Sequence, residues 1–296
     1  MSQSIATRRA LGIVLLCCLA SRALALGFVY EVSKPGAPVS YLVGTLHSED
    51  PRVIALAKQL DPLLAGIDTL AIEIVPDAVT MLAVAAASML PPGQDLEQVI
   101  GAARFAALRD AAHELGLAID VLARLKPWAV AVTLGMPASD TGRFFDMELY
   151  LAALAHGRET LGLETVAEQL AVFEQISPQT QLAMLDSVIK EADRLPQYLE
   201  ALTLAYLAGD GDRLAVLVRE QDADMPADVL EWLDEIMLRQ RNVRMLERSL
   251  PLLRERSTMI AVGAMHLIGD SGLVAGLRRH GYRVEAWRGN EGLSSP

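Results

Sequence analysis

Two short segments near opposite ends of the chain repeat one pattern, Tyr41-Leu-Val-Gly-Thr-Leu-His47 and Met259-Ile-Ala-Val-Gly-Ala-Met-His266. In each, an uninterrupted apolar run ends in Gly-x-x-His. Such a run reads as a strand buried on both faces, and the histidine then stands where the strand gives way to a loop. A helix-like stretch follows each motif and leads to a second apolar run, Thr69 to Val75 in the first case and Tyr282 to Trp287 in the second. Strands at both termini with helices between them define an α/β (α+β) chain. The expectation is a split β-sheet built from two strand-GxxH-helix-strand halves, with a large helical region in the middle.

The segments between agree with that plan. Phe28 to Val32 and Val39 to Val43 flank a Pro35-Gly36 turn signal, so a β-hairpin opens the fold. Ser48-Glu49-Asp50-Pro51 resembles a helix start, and Val53, Leu56, Ala57 and Leu60 follow at helical spacing. Ala78 to Leu90 is almost uncharged and ends at Pro91-Pro92-Gly93. A helix of that composition is expected to be buried, the alternative being an apolar wall of a substrate groove or a partner surface. From Leu96 to about Glu255 the chain reads as helical, with breaks at Lys126-Pro127, Met136-Pro137, Ser177-Pro178, Leu195-Pro196 and Gly209-Asp-Gly211 and one strand candidate, Glu159 to Leu163. No Gly/Ser/Pro-rich linker divides it, so residues 26–296 read as a single domain.

The first 25 residues differ in kind. Arg8-Arg9, an apolar stretch from Ala10 to Ala20 and then Ala23-Leu-Ala25 form a secretory signal with a small-residue cleavage site. The apolar stretch falls short of the roughly 20 residues a spanning helix needs. The mature protein is therefore expected to be exported, periplasmic or extracellular, and to meet the membrane only through the signal before cleavage. Cys17 and Cys18 both fall in this stretch, which leaves the mature chain no disulfide, thiolate ligand or cysteine nucleophile. Losing the signal's three arginines takes the net charge from -11 to -14. An acidic chain with no basic cluster argues against nucleic acid as a partner.

Neutral imidazole and carboxylate oxygen suit Zn, Mn or Co, and a catalytic metal site typically has three protein ligands and one position open to water. His47, Glu73 and His266 could supply those three. Glu73 is the lone carboxylate in Leu70-Ala-Ile-Glu-Ile-Val75, a run that otherwise looks buried. An ionised group there is costly without a partner such as a metal ion or a histidinium. Its role is either ligand or general base. His113 reads as a solvated helix position, and His156 and His280, each before a glycine, read as helix-end residues. There is no Gly-x-Ser-x-Gly elbow, phosphate loop or dinucleotide fingerprint to support serine-hydrolase or nucleotide chemistry.

These residues resemble the TraB/PrgY/GumN family, which includes the Tiki proteases. The resemblance rests on Gly44-Thr-Leu-His47, Glu73, Gly162-Leu-Glu-Thr165 with Gln169, Arg241-Asn242, and Gly263-Ala-Met-His266. It implies a metal-dependent, protease-like site of His47, Glu73 and His266 holding a divalent ion (Mn, Co or Zn) and acting on a peptide or protein substrate. Asp146, Glu164 and Arg241 match further polar positions of the family, as substrate-side or supporting residues. Glu49, just after the first motif, either adds a carboxylate near the metal or starts the helix. The resemblance also implies a fold related to erythromycin esterases and ChaN-type haem-binding proteins. It therefore leaves open a non-catalytic metal- or haem-binding protein and a metal-independent, esterase-like hydrolase.

Overall fold

A computed structural model describes residues 27–289 apart from 138, 140 and 224. The expected export signal at 1–25, with both cysteines, lies outside the described residues. Six strands form one sheet: β1 (Val29–Ser33), β2 (Ser40–Thr45), β3 (Thr69–Ile72), β4 (Glu159–Gly162), β5 (Thr258–Gly263) and β6 (Arg283–Ala286). Their spatial order is β4-β3-β5-β2-β1-β6. β4, β3, β5 and β2 run parallel, β1 pairs antiparallel with β2, and β6 pairs antiparallel with β1. All strands except β1 therefore point the same way.

The expected split sheet is present, with its two halves interleaved. β5 from the C-terminal half lies between β2 and β3 of the N-terminal half. This places the two Gly-x-x-His strands side by side, with Gly44 opposite Val262 and Thr45 opposite Gly263, so the motifs are one residue out of register. Burial explains the continuous apolar runs. β3 is buried at every position and β5 at all but its last, whereas the edge strands β4 and β6 are mostly exposed or half-buried.

The connections follow from local chemistry. Lys34 O accepts from Ala37 N at 3.1 Å and Gly36 has φ 81°, a turn that reverses β1 into β2. Asp50 caps the next helix, Pro51–Gly66, by accepting from Arg52 N at 2.8 Å, and Pro51 occupies its first position. Val53, Ala57, Leu60 and Leu64 of that helix are buried in a core shared with the sheet. The helix Phe145–Ala155 packs on β3 and β4, and the helix Arg241–Glu255 packs on β5. A second cluster, including Leu96, Leu108, Leu134, Leu185 and Trp232, holds the helical middle together. No helix of the described residues is long and apolar enough to cross a membrane.

One sequence expectation fails here. The helix Ala78–Ser88 is not buried: Thr80 is its one buried residue, and Val79 and Leu82 are 79% and 73% exposed. An apolar composition without a polar face says nothing about which neighbours exist to cover it. Five residues separate this helix from the end of β3, Asp77 caps it, and its Met81 lines one cavity with Ile72 at the carboxyl end of that strand.

Close packing at the strand ends makes a sharp test. A Cβ on Gly44 would meet Phe28 Cβ at 2.8 Å and Ala264 Cα at 3.1 Å, whereas one on Gly66, at the end of its helix, meets nothing within 4 Å. Gly44→Ala is expected to destabilise by about 1–3 kcal/mol through overpacking. Gly66→Ala is expected to be neutral or to stabilise by up to about 1 kcal/mol. Urea unfolding of the two variants separates these outcomes.

Candidate functional site

Four neighbouring parallel strands each deliver one polar side chain just past their carboxyl ends. In spatial order these are Glu164 after β4, Glu73 after β3, His266 after β5 and His47 after β2. The crevice at the carboxyl ends of parallel strands is where open α/β sheets bind ligands.

Glu73 is held from three sides. Its Oε1 accepts the Gly263 N–H at 2.7 Å, its Oε2 accepts from Arg241 Nη2 at 2.5 Å, and Gln169 Nε2 reaches Oε2 at 3.4 Å. Gly263 thus has a second use: a Cβ there would stand 3.3 Å from Glu73 Oε1. Burial raises the carboxyl's affinity for a proton, but the His266 imidazolium whenever that ring is protonated, Arg241 and the Gly263 amide outweigh it and hold Glu73 below the usual carboxylate range. Arg241 in turn donates to Glu164 Oε2 through Nε at 2.9 Å and Nη2 at 2.7 Å. Glu164 has a fully buried side chain, and its second oxygen accepts from Arg244 at 2.9 Å. Burial works against the charge of Arg241, yet its two carboxylates raise its pKa further above the guanidinium range.

His266 is buried in a short 3-10 turn, with only 5% of its surface exposed. Its tautomer follows from the hydrogen bonds around it. Asn242 Nδ2 donates to Ser271 O at 3.0 Å, which turns Asn242 Oδ1 toward His266 Nδ1 at 2.7 Å. Oδ1 is an acceptor only, so Nδ1 carries the proton and Nε2 keeps its lone pair. Burial lowers the pKa of this imidazole and favours that neutral form. The bare Nε2 faces Glu73 Oε1 at 3.8 Å.

His47 stands elsewhere in the crevice. Its ring stacks on Phe144 with centroids 3.5 Å apart, and Nδ1 lies 3.6 Å from Asp146 Oδ1. That Asp146 oxygen is buried and has no hydrogen-bond partner. His47, Asp146, Glu73, Gln169 and Met81 line one cavity of about 400 Å³. Glu49 turns away from it: its carboxylate accepts from Ser139 Oγ at 2.6 Å and from the Thr141 and Arg143 amides at 3.1 Å, ordering the loop that leads to Phe144.

The donor set suits a divalent ion in part. A neutral Nε2 and an ionised carboxylate 3.8 Å apart have the spacing of two ligands on one metal, and a histidine ligand usually donates its other N–H as His266 does to Asn242. Among the described residues, however, no three His, Cys, Asp or Glu side chains converge closely enough to form a metal site. Glu73 and His266 are together, while His47 keeps company with Asp146. His113, His156 and His280 take no part. His156 pairs with Asp61 at 2.9 Å, and His280 caps a helix by bonding Gly276 O.

The fold and site define a mixed α/β protein with paired Gly-x-x-His histidines on two adjacent parallel strands. The chain belongs to the TraB/PrgY/gumN family, whose model matches residues 28–286. No curated protein and no solved structure matches it.

Asn242, Phe144, Arg244 and Arg248 also shape the site, with no role assigned to them by the sequence alone. The last two had a readable signal: Arg241, Arg244 and Arg248 recur on one helix face, and Glu164 and Glu168 are four apart. Two predictions follow from the charges. Arg241→Met leaves buried Glu164 with one cation fewer, at an expected cost of about 3–5 kcal/mol in chemical denaturation. Glu168, at the edge of the cluster, is held down to about 2, first by its hydrogen bond to Arg248 and then by the Thr165 amide. A lowered carboxylate stabilises the fold above its ordinary value of 4.5, and that contribution fades as pH falls toward 2. Arg248→Met should therefore flatten the acid side of the stability profile between those values. At neutral pH it should cost under about 1 kcal/mol, because the pair is partly exposed.

Proposed function

We propose that the chain is an exported hydrolase acting on peptide bonds at the Glu73–His266 pair, with a divalent ion as its cofactor. The observation that supports this most is the neutral, lone-pair-bearing Nε2 of His266 facing the ionised Glu73 across 3.8 Å at the carboxyl end of the sheet. Two acceptors so placed call for a cation or a proton donor between them. Glu73 and His266 would hold the ion with His47 as third ligand, and a bound divalent metal lowers the pKa of water to about 7 and polarises a carbonyl.

The chain's own residues do the rest. Asn242 keeps Nδ1 protonated, so His266 Nε2 stays available at neutral pH. Arg241 keeps Glu73 ionised and fixes one of its oxygens, leaving Oε1 toward His266. Phe144 fixes the plane of the half-exposed His47 ring, and Asp146 stands beside its Nδ1 as the carboxylate partner a ligating histidine commonly has. A second reading draws on the separation of His47 from the pair and on the arginine already on Glu73. In it His266 takes the proton of water directly and no metal is needed. A protein that binds a metal or haem without turnover is the third.

Metal analysis of residues 26–296, loaded with Mn, Co or Zn, tests the first reading. About one equivalent is expected in the wild type and none in folded Glu73→Gln or His266→Ala. Peptide cleavage is expected to fall at least 100-fold in both, in line with loss of an acid–base group. Cleavage that survives exhaustive chelation, with His266→Ala still inactive, would favour the metal-free reading. No cleavage with any metal, and a haem absorbance band on adding haem, would favour the third.

A further inference from the structure

Behind the Glu73–His266 pair lies a second cavity, of about 620 Å³, which the chemistry above does not use. Its walls are apolar: Val218 from the helix Gly211–Asp222, Leu230, Leu233 and Met237 from the segment that follows, and Met265 from the 3-10 turn. His266 and Arg241 line it too, and both also reach Glu73, which lines the cavity holding His47. One layer of side chains thus separates the two spaces. Arg219 and Asp222, which have no ion-pair partner among the described residues, add a donor and an acceptor to the otherwise apolar lining.

The wall is built in an unusual way. Trp232–Gln240 forms nine residues of π-helix, where such turns are ordinarily brief and found at functional sites. Trp232 anchors its start by donating to Val172 O at 3.0 Å, and its end delivers Arg241 to Glu73 and Glu164. The wide turns present Leu233, Met237 and Leu238 along the cavity. A π-helical segment that both lines an apolar space and sets the arginine of the site ties the two together.

We infer that this cavity is a specificity pocket for the apolar side chains of a peptide, seating them next to the bond at Glu73 and His266. The inference rests on the peptide-hydrolase reading for the position of that bond. A volume of 620 Å³ exceeds one large side chain and suits a short apolar segment. Arg219 and Asp222 supply the hydrogen-bonding partners that a peptide backbone has and a plain hydrocarbon lacks.

The test is calorimetric binding of acetyl-Leu-Leu-Leu-amide to the mature chain, beside acetyl-Ser-Ser-Ser-amide and decanoyl amide. Two variants accompany it: Ala215→Phe, which fills the pocket, and Leu230→Gln, which makes a partly exposed wall residue polar. The leucine peptide is expected to bind the wild type at least tenfold more tightly than the serine peptide. Ala215→Phe should abolish that preference and Leu230→Gln should reduce it several-fold, with an unchanged melting temperature in at least Leu230→Gln. Equal binding of the two peptides, an unaltered preference in both variants, or binding of decanoyl amide alone would overturn the inference. Because the readout is binding, a pocket that selects leucine without any cleavage would keep this inference and sink the hydrolase reading. Cleavage without selection would do the reverse.

Discussion

One guanidinium shared by two carboxylates governs the centre of this protein. Arg241 bridges Glu73 and the fully buried Glu164, which come from the ends of adjacent strands. Removing either acid from water is unfavourable by several kcal/mol unless a cation is in place. The helix that carries Arg241 must therefore lie against the ends of β3 and β4, and its next arginines, Arg244 and Arg248, extend the alternation to Glu168. The sheet's edge and the helical layer are registered to one another by charge as much as by apolar packing.

That registration leaves one oxygen of Glu73 facing one nitrogen of His266. Three residues fix the pair: Gly263 through its amide, Asn242 through the imidazole's other nitrogen, and Ser271 by orienting Asn242. Geometry of this kind belongs to preorganised sites, where groups are held by partners fixed in their turn. His47 is fixed otherwise, by an aromatic face and a carboxylate across a gap.

Most of the fold could be read from the residues because it rests on local rules. Continuous aliphatic runs marked the buried parallel strands, Pro35-Gly36 the first turn, and Asp50-Pro51 a helix start. The site was half legible. Glu73 announced itself as a charge in an apolar run, and the repeated Gly-x-x-His pointed to two strand ends. What stayed hidden was relational: that β5 inserts between β2 and β3, that Asn242 sets a tautomer, and that His47 faces Asp146. These depend on which segments meet across the sheet, which no local pattern encodes. The exposed helix Ala78–Ser88 misled for the same reason, since apolar composition does not name a neighbour.

The interleaving has a consequence for how the protein comes into being. β2 is paired with β5, so residues 41–45 must wait for residues 259–263 before the middle of the sheet exists. Contacts between such distant segments form slowly and late. During synthesis the N-terminal half has no stable place for Glu73, whose amide partner Gly263 and cation Arg241 arrive near the end of translation. A chain stopped before β5 is thus not a weaker version of the protein but one without a site. A break in a loop of the helical middle, by contrast, leaves both ends joined by their ladder of hydrogen bonds.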